Sequence, residues 1–131
     1  MSAIAKNLAR VLHKVKEVCT LNKVARPIRL VAVSKTKPLE DLQAAYDAGQ
    51  RHFGENYVQE LVAKAPDMPK DVKWHFIGHL QSNKCRQIVS IENLFLVETV
   101  DKPKLAKALN KACVATGRAS TLNVLVQVGR M

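Results

Sequence analysis

Apolar residues recur at helical spacing over residues 3–21. Ile4, Leu8, Val11, Leu12, Val15 and Val18 make one stripe, so the pattern predicts an amphipathic helix. After Pro27 the pattern changes to Ile28-Arg29-Leu30-Val31-Ala32-Val33, a short β-branched run of the kind buried on both faces of a parallel sheet. Pro38 then opens a second helix. Glu40 and Asp41 fall in its first turn, Leu39, Leu42, Ala45 and Tyr46 point inward, and Gly49 stops it. The unit repeats: Arg51–Gly54 reads as a strand, and residues 56–64 read as a helix with Val58, Leu61, Val62 and Ala65 inward. A connector punctuated by Pro66 and Pro69 leads to a third strand at Trp74–Gly78, and Ser82 is placed to cap a helix running to about Ile91. A fourth strand, Leu94–Val97, is followed by a helix with Asp101 as cap and Pro103 in its first turn. Leu105, Ala108, Leu109 and Ala112 face inward there, and Gly117 is the stop. A buried-type strand at Leu122–Val128 comes last.

The order is one helix, four βα units and a final strand, an α/β pattern that implies a parallel sheet with right-handed crossovers. Two architectures accommodate (βα)4β after an N-terminal helix. One is a flavodoxin-like open sheet. The other is the first half of a TIM-type (β/α)8 barrel, which takes roughly 250 residues when complete. In an open sheet a helix usually covers the last strand, and its absence after Val128 points to an incomplete unit. Residues 1–131 are thus expected to form a partial α/β barrel domain, the N-terminal half without the C-terminal strands.

Composition narrows the class. With 47% hydrophobic and 24% charged residues the chain has the balance of a globular domain. No apolar run approaches the ~18–20 residues of a membrane span, and the first residues lack the apolar core of a secretory signal. Cys19, Cys85 and Cys113 are an odd, widely spaced set that makes a poor disulfide framework and a poor zinc site, which suits reduced thiols in the cytoplasm. A basic amphipathic start leaves a mitochondrial presequence as the alternative, although lysine outnumbers arginine there. The net charge of +10 is uneven. Residues 1–40 carry nine basic and two acidic side chains, residues 41–100 six and eight, and residues 101–131 six and one. This excess favours an anionic partner without choosing among phosphate ligand, nucleic acid and membrane surface.

In parallel α/β folds the chemistry gathers at the C-terminal ends of the strands. Those ends are polar here: Ser34-Lys35-Thr36-Lys37, Glu55-Asn56, His79 to Lys84, Glu98-Thr99, and Gln127 to Arg130. Alternation puts Val31, Val33 and Lys35 on one face, so the Lys35 stem is expected to follow two apolar side chains into a crowded interior. Burial there, with Lys37 nearby, favours the neutral amine, a nucleophile toward aldehydes that forms a Schiff base. Spacing alone leaves a second reading open, a lysine that snorkels from a strand end and keeps its amine in water. Residues 78–85 resemble a nucleotide P-loop only superficially, because Asn83 stands where the second glycine is needed and Cys85 where the hydroxyl is needed. A looser anion site on backbone amides survives there. His52, His75 and His79 lack metal spacing, and His52 and His75 read as strand residues with hydrogen-bond partners. The scattered basic residues and few aromatics read as a solvated surface rather than a nucleic-acid track.

Three blocks carry a resemblance. They are Val31-Ala32-Val33-Ser34-Lys35-Thr36-Lys37-Pro38, His52-Phe53-Gly54-Glu55-Asn56-Tyr57-Val58-Gln59-Glu60, and Trp74-His75-Phe76-Ile77-Gly78-His79-Leu80-Gln81-Ser82-Asn83-Lys84. In this order and spacing they closely resemble the pyridoxal phosphate homeostasis proteins, single-domain relatives of the alanine racemase N-terminal barrel. The resemblance implies a (β/α)8-type barrel holding pyridoxal 5′-phosphate (PLP). Lys35 matches the family lysine that forms the Schiff base, Asn56 matches a residue lining the cofactor pocket, and His79 lies in the matching loop after the third strand. It also implies a PLP carrier without catalytic turnover, with PLP-dependent apoenzymes as acceptors; with the cysteine and charge readings above, the chain is expected in the cytoplasm with no nucleic-acid or membrane partner. A racemase-like enzyme and a basic module for RNA or anionic surfaces are the alternatives. The family's phosphate-holding residues lie in later strands to which nothing here corresponds, so the chain looks like a fragment, a truncated gene model or a shortened isoform, and weaker PLP retention is expected.

Overall fold

The computed structural model describes residues 2–129; Arg130, assigned above to the fifth strand end, lies outside the described residues. Helix α1 (Ala3–Leu21) begins where predicted, with the Ser2 side chain accepting a hydrogen bond from the Ala5 N–H at 3.0 Å. There follow β1 (Ala32–Val33), α2 (Leu39–Asp47), β2 (His52–Glu55), α3 (Val58–Lys64), β3 (Lys73–Phe76), α4 (Cys85–Val89), β4 (Leu94–Val100), α5 (Pro103–Ala115) and β5 (Asn123–Val126). All five strands are parallel and stand in the order β1-β2-β3-β4-β5. A flavodoxin-like sheet reverses direction once and places its first strand inside. The uninterrupted order removes that alternative and is that of consecutive staves in a barrel.

One face of the sheet packs on the helices. Phe53, Trp74 and Leu94 lie in one row with Ala32, and Phe76 and Val97 in the next. They are buried against Leu42, Leu61, Ile88, Leu105 and Leu109. Gly49 (φ +108°) and Gly117 (φ +67°) end α2 and α5 in the left-handed conformation that glycine adopts without strain. The opposite face carries the row Val33, Gly54, His75 and Leu96, the side that points into a barrel lumen.

Several local expectations are corrected. The run from Ile28 to Val33 yields only a two-residue strand, with Ile28 53% and Val33 54% exposed, because β1 has one neighbour. For the same reason β5, read as a buried strand, is exposed along its length. In α1 only Ala5 and Leu8 are buried, so the Val11, Leu12 and Val18 part of the stripe lies open. Val62 in α3 is also exposed. Ser82 does not cap α4 but sits in a 3-10 turn ahead of it, and Asp101 makes no cap bond, Lys102 taking the N-cap position of α5. Among the described residues no helix is long and apolar enough to cross a membrane.

Candidate functional site

The C-terminal ends of β1, β2 and β3 bring the polar segments together. Asn56 follows β2, and Gly78 and His79 follow β3. A Cβ on Gly78 would lie 2.0 Å from the Asn56 carbonyl oxygen and 2.8 Å from its Oδ1, so only glycine allows this approach. Asn56 and His79 line one open cleft of about 230 Å³ together with Gln59, Gln81 and Lys84. Lys35 does not line that cleft. It stands one strand away, in the turn that leaves β1. The crowded interior expected around it is not formed, since its side chain is exposed and Val33 beneath it is half exposed on the open face. A larger groove of about 430 Å³ lies at the other end of the sheet, beside Lys73, Leu94 and Asn123, where the strands begin. That end of such folds carries stability rather than chemistry.

The turn carrying Lys35 is held from below by a charged cluster that the sequence reading did not single out. Lys64, the last residue of α3, is 7% exposed. Its Nζ donates to Glu60 Oε2 at 2.6 Å, to the Ser34 carbonyl at 2.7 Å and to Glu55 Oε2 at 3.0 Å. Ser34 Oγ donates to the same Glu55 oxygen, and Glu60 Oε2 also accepts from the Thr36 N–H at 2.7 Å. Burial raises the Glu60 pKa, but the hydrogen bonds from Lys64 and from the Thr36 amide outweigh it, and the net shift is downward. Thr36 itself has φ +62°, an uncommon conformation for a β-branched residue. The spacing Glu60-x-x-x-Lys64 on a helix, next to a glutamate ending a strand, was the signal available in advance.

On the lumen side His52 and His75 meet hydrogen-bond partners as expected. His75 Nδ1 lies 2.7 Å from Glu98 Oε2, and its Nε2 lies 2.9 Å from His52 Nδ1. Burial lowers the pKa of His75 despite Glu98, and burial together with Arg29, His75 and Lys73 lowers that of His52 to about 4. With both rings neutral, the carboxylate requires the proton on His75 Nδ1. His75 Nε2 is then the acceptor, and His52 Nδ1–H donates to it.

The chain is similar to pyridoxal phosphate homeostasis proteins from Schizosaccharomyces pombe, at 54% identity over 103 residues, and Escherichia coli, at 43% over 133 residues. The aligned regions cover 79% and 98% of this chain and 43% and 55% of those proteins. The chain belongs to the pyridoxal phosphate homeostasis protein family. It therefore spans about half the length of the curated relatives that it matches. PipY, a Synechococcus elongatus protein whose structure has PLP bound, superposes with a TM-score of 0.70 at 37% identity, over 89% of this chain and 55% of PipY. That likeness makes the sheet the family's half barrel. No protein-family model matches the chain.

Proposed function

We propose that this chain is a PLP-holding protein of intracellular PLP homeostasis, working without catalytic turnover. The observation that carries this reading is the placement of Lys35 in a turn pinned at the C-terminal mouth of a half barrel whose relative PipY binds PLP. The donor set suits the ligand: a primary amine on Lys35, an amide on Asn56, an imidazole on His79 and an ammonium on Lys84 beside it. PLP supplies an aldehyde carbon, which a neutral amine attacks with loss of one water.

In this reading Lys35 Nζ is the covalent anchor. Asn56 and His79 line the mouth, and Gly78 keeps their two loops in contact. Lys35 stays exposed, so its amine reaches a ligand arriving from solvent and can release it again to PLP-dependent apoenzymes. The names of the relatives support holding rather than turnover. The test is borohydride reduction of the protein with PLP, followed by peptide mapping. The expected label lies on Lys35 and is lost from that peptide in Lys35→Ala. A label confined to Lys37, Lys84 or another lysine overturns the assignment.

A further inference from the structure

The geometry points to the Glu60–Lys64 pair of α3 as the device that positions Lys35 for reaction with an aldehyde, an inference resting on the reading just given. Two peptide planes meet at the Lys35 Cα, and the pair grips both. The Ser34 carbonyl before it accepts from Lys64 Nζ at 2.7 Å, and the Thr36 N–H after it donates to Glu60 Oε2 at 2.7 Å. The two gripping groups are themselves joined at 2.6 Å, one helical turn apart. Rotation of either plane would swing the Lys35 side chain away from the mouth; turning the first would separate the buried Lys64 ammonium from the Ser34 carbonyl, and turning the second would separate the Thr36 amide from the Glu60 carboxylate.

Two further details support a positioning role. Thr36 Oγ1 donates to the Lys35 carbonyl at 2.6 Å, and Thr36 is held at φ +62°. A β-branched residue stays there only when its surroundings over-determine it. Glu55, fully buried, has one oxygen on both Lys64 Nζ and Ser34 Oγ, which gives the ammonium a second carboxylate partner. Among the described residues Lys35 makes no hydrogen bond through its own side chain, so its direction is set through its backbone. Glu60 and Lys64 are positioning residues and touch no ligand.

The experiment combines hydrogen exchange at the Thr36 amide with the rate of borohydride-trapped PLP labelling at Lys35, in the whole chain. Glu60 is partly exposed, so Glu60→Ala is expected to keep the far-ultraviolet dichroism of the parent. It should speed Thr36 exchange and slow Lys35 labelling, each by about ten-fold or more. Glu60→Gln keeps an acceptor for the amide and should restore most of both. It also decides the matter if the alanine variant does not fold. Lys64→Met should slow labelling to a similar extent by freeing the Ser34 carbonyl. A parental labelling rate in a variant that has lost Thr36 protection overturns the inference alone. A parent labelled elsewhere than on Lys35 overturns the PLP reading and this inference with it.

Discussion

Gly78→Ala tests the contact that joins the two loops of the candidate site. The new Cβ would stand 2.0 Å from the Asn56 carbonyl oxygen and 2.8 Å from its carbonyl carbon. An ordinary carbon–oxygen contact is about 3.3 Å, so the loops must part by more than about 1 Å. The obstructing atoms are mainly backbone, which cannot rotate aside. Overpacking of this kind costs about 1–3 kcal/mol, and the rigid obstacle puts the expectation near about 3 kcal/mol. At this chain length each kcal/mol lowers Tm by about 3–5 °C, so thermal unfolding followed by circular dichroism should show a drop of about 10 °C. Gly129→Ala is the control, since among the described residues nothing beyond its chain neighbours lies within 4 Å of the added carbon there. On the proposed reading, the displaced Asn56 should also weaken PLP retention in the folded fraction. A Gly78→Ala protein that unfolds within about 1 °C of the parent would falsify the close approach, and with it the claim that this glycine sets the Asn56 loop.

Two further outcomes follow from the electrostatics and the capping. Folded His52 resists protonation until about pH 4, while in the unfolded chain it takes a proton near its ordinary value of 6.5. The unfolded state therefore binds more protons between these limits, so stability is complete above about pH 6.5 and declines as the pH falls toward 4. His75, also shifted downward by burial, acts in the same direction. Urea midpoints at several pH values should show this decline and a shallower slope in His52→Gln; equal slopes in the two proteins refute it. Arg118 donates to the carbonyls of Val89, Ile91 and Leu94, gathering the end of α4 and the start of β4. Arg118→Met should cost about 1–3 kcal/mol in chemical denaturation, and a loss below about 0.5 kcal/mol means that water replaces those bonds without penalty.

The periodicity alone determined the element order, because each hydrophobic stripe needs a partner layer and alternating β and α stripes find one only in a parallel sheet with helices on it. It also located Lys35, Asn56 and His79 at strand ends, since such ends are marked by the switch from apolar to polar residues. Strand burial was not legible. Val33 and Val124 have the chemistry of interior residues, yet exposure is a property of neighbours, and β1 and β5 each have only one. The choice between open sheet and barrel likewise waited for strand order, which depends on which strands pair rather than on what each contains. The cluster of Glu55, Glu60, Lys64 and Ser34 spans 31 residues of sequence and meets only after three elements have packed. Ser34 and Glu55 stand at polar strand ends in the chain, but Glu60 and Lys64 look like an ordinary surface pair on a helix. Only the fold, by burying Lys64 under the turn after β1, made them the support of the lysine above.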